Sequence, residues 1–98
     1  MKILAIEREV PSTTAEHFKP QLRTEAIKAW ELYQAGEIRE LYFDRDKHSA
    51  VLILECSETE EARQILDTLP LVKAGLITFE VIALTPYPGF SRLFVESP

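Results

Sequence analysis

The chain has 98 residues, of which 46% are hydrophobic, and this is enough for one domain with a core of its own. Its 11 Lys and Arg are scattered among 16 Asp and Glu, and a formal net charge of -5 argues against nucleic acid or an anionic membrane as a partner. No apolar run approaches the roughly 20 residues of a membrane span. The single cysteine, Cys56, suits a reducing cytosol. We therefore expect one cytoplasmic domain over residues 1–98.

The N-terminal part predicts one strand and one long helix. The segment KILAIERE, residues 2–9, is apolar and partly β-branched and precedes a turn, so it is expected to be a strand. Its charge at Glu7 leaves no apolar core for a signal peptide. The helix that follows has Ser12, Thr13 or Thr14 as a possible cap and ends at Gly36. Pro20 leaves two alternatives, a helix that begins near Lys19 or a short turn ahead of a kink.

Apolar residues recur along this helix at the helical period and form an apolar arc on one of its faces. Glu25 is the residue that breaks the pattern, because by angle it falls inside the arc. Ile27 and Trp30 project away from the arc and indicate a second contact surface, for which a subunit contact is favoured over a stacked ligand. The members of the arc are Phe18, Leu22, Ala26, Ala29, Leu32 and Tyr33.

The C-terminal part predicts a hairpin, a second helix and a last strand. Residues 37–46 and 47–56 are expected to be two strands joined by a polar turn at residues 44–48. Ser57 and Glu60 have the spacing of a capping box, and Pro70 is expected to end the helix that they begin. Residues 77–84, ITFEVIAL, form the last strand. The apolar stripe of the second helix comprises Ala62, Ile65, Leu66 and Leu69.

The order βαββαβ is that of the ferredoxin-like α+β fold, a four-stranded antiparallel sheet with both helices on one face. The strands at residues 50–54 and 79–84 are nevertheless predicted to be apolar on both faces; in the first, for example, Val51 and Ile53 alternate with Leu52 and Leu54. An apolar face of this kind is seldom left in water, so we expect a homodimer in which two sheets pack together. A C-terminal arm at about residues 88–98 is expected to cover the partner subunit or a pocket mouth, through Phe90, Leu93, Phe94 and Val95.

Two segments resemble the muconolactone isomerase-like family of the dimeric α+β barrel superfamily. In ILDTLPL and the following ITFEVIALTPYP, residues 69–71, residues 80–81 and Pro88 fall at the family's spacing. In EAIKAWELYQAGEIRELY, Glu25 and Gly36 are among the residues in register. The resemblance covers most of residues 22–90. It implies paired sheets, sometimes within a larger ring, and a pocket between sheet and helices.

The resemblance also implies chemistry without a metal or cofactor, because the family's namesake moves a proton within a small unsaturated lactone. This chain departs from the isomerases at two places. Residues 40–43, ELYF, stand where they carry His-Leu-Trp-Arg, and residues 86–88, PYP, stand where they carry Arg-His-Pro. The basic residues that could hold a carboxylated lactone are missing from both, so muconolactone itself is not the expected substrate.

Glu25 is the first candidate for a catalytic residue. A carboxylate that is partly desolvated at a pocket wall has a raised pKa, as a general base or acid near neutral pH requires. The alternative is a surface carboxylate at the edge of the arc that reaches water or pairs with Arg23 or Arg39.

Two tyrosines are candidates for a proton donor. By the two-residue period of a strand, Glu40 and Tyr42 lie on the same face as Ile38. They either line the pocket or make ordinary hydrogen bonds in a dimer interface, and the interface is favoured. Tyr87 stands where the family has a histidine, so it is either a pocket residue or a packing residue. Further ligand contacts are expected from Phe18, Leu22 and Tyr33.

The remaining titratable residues have simpler interpretations. His17 falls on the polar side of the first helix and His48 in the hairpin turn, so both are expected at the surface. Cys56 has no partners for a nucleophilic site and is expected to be buried at a strand end.

The sequence predicts a homo-oligomeric α+β barrel that binds a small, mostly apolar organic molecule. One hypothesis is a cofactor-free isomerase or lyase with Glu25 as base and Tyr42 or Tyr87 as donor. The other is a non-catalytic ligand-binding or assembly module of the same fold. The first hypothesis leads, and the absence of the family's basic residues is the observation that favours the second.

Overall fold

The structure, a computed structural model, describes residues 1–95. The strands are β1 (Lys2–Glu9), β2 (Ile38–Phe43), β3 (Ala50–Glu55) and β4 (Ile77–Ala83). The helices are α1 (Ala15–Phe18), α2 (Leu22–Gln34), α3 (Thr59–Leu66) and α4 (Pro70–Lys73). Two 3₁₀ segments cover Lys19–Gln21 and Gly89–Phe94.

The four strands form one antiparallel sheet in the order β2-β3-β1-β4. In the centre of the sheet, Ile3 of β1 lies opposite Leu54 of β3 on one side and Ala83 of β4 on the other. This is the strand order of the ferredoxin-like fold, so the predicted fold is confirmed.

The helices cover one face of the sheet. Burial alternates along β1, where Ile3 and Ala5 are fully buried while Leu4 and Ile6, the residues that follow each of them, are half-buried. The predicted apolar stripe of α3 packs against this face. The core consists of Ile3, Ala5, Leu32, Ile38, Leu52, Leu54, Cys56, Ala62, Ile65, Leu66 and Leu69.

The opposite face of the sheet, called the outer face below, carries two rows of side chains. Because directly paired residues share a face, Ile53, Leu4 and Ile82 form one row, and Val51 and Ile6 lie in the next. All five are at least partly exposed in the single chain. The prediction of two apolar faces is confirmed for β3, whereas β4 is an edge strand whose outer face carries Thr78 and Glu80 as well as Ile82.

A short turn precedes the main N-terminal helix, which agrees with the second of the two predicted alternatives. Thr14 is the N-cap of α1, and its backbone N–H donates to Nδ1 of the exposed His17 at 3.1 Å. Pro20 lies in the 3₁₀ segment between α1 and α2. Gly36, with φ of 79°, follows α2 as predicted, because glycine adopts this left-handed conformation without steric cost.

The boundaries of the second helical region differ from the prediction. Ser57 pairs with Glu61 and not with Glu60: its backbone N–H donates to Glu61 Oε2 at 2.9 Å, and its hydroxyl donates to the same oxygen. The reason is that α3 begins at Thr59, which makes Glu61 its third residue. Pro70 does not end this helix but begins α4, since the first helical position does not need an N–H.

A β-bulge in β2 reverses the predicted orientation of two candidate residues. Ile38 lies opposite Leu54, but Glu40 already lies opposite Ile53, so β2 carries one extra residue at this point. Glu40 and Tyr42 therefore lie on the outer face, whereas Ile38 faces the helices. The prediction that they share the face of Ile38 is wrong.

The C-terminal segment is exposed within the described residues. Phe94 and Leu93 are 86% and 77% exposed, although both are large apolar residues. Residues 96–98 of the predicted arm lie outside the described part. Within residues 1–95, no helix has the length and apolarity needed to cross a membrane.

Candidate functional site

A cavity of about 470 Å³ lies between the sheet and α2, at the end of the sheet where β1 ends and β3 begins. Most of its wall is apolar, and Phe18, Leu22 and Phe43 are among the residues that form it. Leu22 and Phe43 also reach solvent, so the cavity is accessible from outside. Its titratable lining residues are Glu7, Glu9, Glu25, Tyr42 and His48, and the described lining contains no Lys or Arg.

Glu25 lies in the first turn of α2 and faces this cavity. Its Oε1 accepts a hydrogen bond from the backbone N–H of Leu71, in the first turn of α4, at 2.9 Å. Burial raises the pKa of the Glu25 carboxyl above its ordinary 4.5; the Leu71 hydrogen bond opposes this, and the negative charge of Glu7 adds to it. Among residues 1–95, Glu25 forms no ion pair with Arg23 or Arg39.

Glu7 is a second carboxylate in the cavity, and sequence reasoning did not identify it. Its residue is only 8% exposed, and its Oε1 accepts a hydrogen bond from the backbone N–H of Ala50 at 2.9 Å. Ala50 lies one residue beyond the last β1–β3 pair, so the carboxylate satisfies an N–H where the ladder ends. The sequence of β1 does contain a pattern that could have identified Glu7. The two-residue period of a strand places Glu7 on the same face as the buried Ile3 and Ala5.

Tyr42 and Glu40 form a polar pair on β2. The Tyr42 hydroxyl donates to Glu40 Oε1 at 2.6 Å, and this hydrogen bond to a carboxylate raises the pKa of the phenol. Tyr42 borders the cavity, but its register opposite Val51 places its side chain on the outer face. Glu40 is not part of the cavity wall, so within one subunit the pocket alternative, in which it would contact the ligand, does not apply to it.

Two further predicted site residues lie elsewhere in the subunit. Tyr33 stacks on Trp30 with ring centroids 5.8 Å apart, and it lies one turn beyond Ala29, the last residue of α2 in the cavity wall. Tyr87 packs edge-to-face on Phe90 at 5.1 Å. It follows β4, whose last residue pairs near the start of β1, so it lies at the opposite end of the sheet from the cavity. Phe18 and Leu22, by contrast, line the cavity.

The histidine and cysteine predictions agree with the structure. His48 is exposed in the β2–β3 turn, with φ of 57°, and also borders the cavity. Cys56 is 5% exposed directly after β3, and burial raises the pKa of its thiol. Among residues 1–95, no group of three or more His, Cys, Asp and Glu side chains is placed to hold a metal ion.

These features define a ferredoxin-like α+β domain with a mostly apolar cavity between helix and sheet, whose wall includes the carboxylates of Glu7, Glu9 and Glu25. The family model for muconolactone delta-isomerase matches residues 4–89. The chain belongs to this family, which confirms the resemblance drawn from the two sequence segments.

Two solved structures have the same fold. The crystal structure of a muconolactone isomerase has a TM-score of 0.73 and 19% identity, over 90% of this chain and 92% of the other. A 5-chloro-2-hydroxyhydroquinone dehydrochlorinase from Burkholderia phenoliruptrix AC1100, in complex with 2,5-dihydroxybenzoquinone, has a TM-score of 0.63 and 18% identity, over 87% and 94% of the two chains. No curated protein sequence matches the chain significantly.

Proposed function

We propose that this protein binds a small, mostly apolar organic molecule in the cavity and moves a proton on it without a cofactor. The reaction class is isomerisation or elimination next to a carbonyl group. Glu25 is the base: its carboxylate takes a proton from an acidic C–H bond, and the resulting acid returns it to another atom or leaves it on the enzyme while a leaving group departs.

The position of Glu25 supports this proposal. Its carboxylate stands in an apolar wall, fixed through one oxygen by the Leu71 N–H, and its pKa is raised by burial. A carboxylate with a raised pKa that is held in one orientation is suited to act as a general base. Proton transfer is also the step shared by the reactions named for an isomerase and a dehydrochlorinase of this fold.

The two tyrosines are weaker candidates for proton donors than the sequence indicates. Within one subunit, the Tyr42 hydroxyl is engaged by Glu40, and Tyr87 lies at the other end of the sheet. The simplest scheme therefore uses Glu25 as both base and conjugate acid. A donor role for Tyr87 requires the C-terminal segment of a second subunit at the cavity mouth.

The assembly that we propose is a homodimer formed through the outer face, in the cytoplasm. Its support is the outer face itself, where five apolar side chains are at least partly exposed in the single chain. Two such sheets packed together would remove this surface from water. Ile27, Trp30 and Tyr33 on α2 form a further exposed apolar patch, which supports a larger ring.

The second candidate function is a non-catalytic ligand-binding or assembly module. It is favoured by the extent of exposed apolar surface at Phe90, Leu93, Phe94 and Val95, which suits contacts between chains. In this case the cavity would bind a ligand, or remain empty, without proton transfer.

Deuterium exchange separates the two functions. Small unsaturated lactones and cyclic enones, which carry an acidic C–H bond next to a carbonyl group or conjugated with it, are incubated with the protein in D₂O, and NMR follows deuterium entering that position. We expect exchange with the wild-type chain and a loss of roughly 10²- to 10⁴-fold in Glu25→Gln, the usual contribution of a general base. Glu60→Gln, an exposed change on α3, is the matched control. The enzyme proposal is rejected if the wild-type chain catalyses no exchange, or if Glu25→Gln catalyses it at the same rate as the wild-type chain.

A further inference from the structure

Glu7 and Glu25 enter the cavity from its two layers, Glu7 from the sheet and Glu25 from the helix above it. Each is fixed in the same way. Oε1 of Glu7 accepts from the Ala50 N–H and Oε1 of Glu25 accepts from the Leu71 N–H, both at 2.9 Å. Within residues 1–95, neither Oε2 has a hydrogen-bond partner or an ion pair. Each carboxylate therefore has an acceptor oxygen available for a ligand.

No Lys or Arg balances this pair within the described lining. The other titratable residues of the wall are Glu9 on β1, Tyr42 on β2 and His48 in the β2–β3 turn. Arg8 pairs with Glu80 at 2.8 Å on the outer face, and Arg39 Nε donates to the Gly36 carbonyl at 2.6 Å. A ligand that carries a carboxylate would thus bring a further negative charge into an acidic, partly desolvated cavity.

We propose that Glu7 is the second ligand-binding carboxylate of this site, and that the Glu7–Glu25 pair selects uncharged ligands with hydroxyl or enol donors over ligands that carry a carboxylate. The two free oxygens accept hydrogen bonds from such donors, while the apolar wall contacts the ring or chain between them. This inference rests on the proposed function, since it names the substrate class of the same cavity.

Two probes of nearly equal size test the selection. They are 3,5-dihydroxybenzyl alcohol, which is neutral, and 3,5-dihydroxybenzoate, which carries one negative charge at pH 7.5. Calorimetry measures their dissociation constants with the wild-type chain, Glu7→Gln and Glu60→Gln. Glu7→Gln keeps an acceptor oxygen for the Ala50 N–H, and Glu60→Gln removes a charge outside the cavity.

We expect the wild-type chain to bind the alcohol about tenfold or more tightly than the benzoate. The reason is that repulsion between the benzoate carboxylate and the carboxylates of a partly buried cavity weakens binding by about this factor. Glu7→Gln should narrow this ratio by about tenfold, and Glu60→Gln should leave it unchanged. Carbon-13 NMR of the Glu25 carboxyl supplies a second measurement, in which the Glu25 pKa should be lower in Glu7→Gln than in the wild-type chain.

Other outcomes overturn the inference in distinguishable ways. A benzoate that binds the wild-type chain as tightly as the alcohol, or a ratio that Glu7→Gln does not change, rejects the role of Glu7 but leaves Glu25-dependent proton transfer intact. Failure of the wild-type chain to bind either probe rejects this inference; if deuterium exchange is absent as well, the proposed function fails separately.

Discussion

Glu25 and Leu71 are separated by 46 positions in the sequence and are joined by a hydrogen bond of 2.9 Å. The bond fixes the carboxylate of the candidate base and also satisfies a backbone N–H in the first turn of α4, which has no partner within its own helix. Glu25 therefore has a structural role as well as the proposed catalytic one, and experiments on it must separate the two.

Substitutions of different shape separate these roles. Glu25→Gln keeps an acceptor for the Leu71 N–H, so we expect its free energy of unfolding to stay within about 0.5 kcal/mol of the wild-type value. Glu25→Ala removes the acceptor and should cost about 1 kcal/mol, as loss of a helix cap does. Urea denaturation measures both. Equal losses in the two variants would show that the hydrogen bond does not stabilise the fold.

The raised pKa of Glu25 predicts how stability depends on pH. A folded-state pKa above the ordinary 4.5 means that the folded chain holds this proton more tightly than the unfolded chain does. The resulting stabilisation is fully present below about pH 4.5 and is lost as pH rises through the folded-state pKa. Relative to Glu25→Gln, which cannot titrate here, the wild-type chain should lose stability as pH rises through this window. Thermal melting from pH 4 to 8 tests this, and a gain with rising pH would contradict it.

The proposed dimer depends on the outer face. Ile53 lies in the centre of this face, directly opposite Leu4 and two residues from Val51 on the same strand. Ile53→Glu would therefore place a negative charge between the two packed sheets. We expect light scattering to report a dimer or larger assembly for the wild-type chain and a monomer for Ile53→Glu. Gln64→Glu adds the same charge on the exposed side of α3 and should leave the assembly intact. A wild-type monomer at micromolar concentration would refute the proposal.

Cys56 should react with thiol reagents only after the fold opens. The residue is 5% exposed, and burial, together with the carboxylates of Glu61 and Glu37, raises the pKa of its thiol. The thiolate is the reactive form, so both factors slow attack. Labelling with a chromogenic disulfide should be slow in native buffer and rapid in denaturant. A native rate similar to that of a free thiol would place Cys56 at the surface.

Gly89 should be required for the local structure of the C-terminal segment. A Cβ at this position would overlap the ring of Tyr87, which packs on Phe90. Gly89→Ala should therefore remove the Tyr87–Phe90 ring contact, visible in proton NMR shifts, with little effect on the melting of the sheet and helices. Gly75→Ala is the contrasting control, because an alanine at φ of 75° would be strained and should destabilise the body of the fold by about 1 kcal/mol. Preserved ring shifts in Gly89→Ala would be inconsistent with this packing.

The order and type of the elements could be predicted because they depend on local patterns. The period of apolar residues predicted the stripe of α3, and Gly36 marked the end of α2. Local patterns predict less well where two neighbouring residues could each make the same local contact. Ser57 has acidic residues both three and four positions later, and only the packed position of α3 decides that it bonds Glu61.

The sequence by itself determined the fold, the family and the presence of Glu25 on the cavity side of α2. Tertiary structure alone decided the composition of the site. The bulge after Ile38 is set by pairing with β3, so the two-residue period of β2 could not place Glu40 and Tyr42. Glu7 belongs to the cavity because the end of β1 and the first half of α2 line the same space. Periodicity reports which face a side chain occupies along one element, whereas a binding site depends on which elements are neighbours in space.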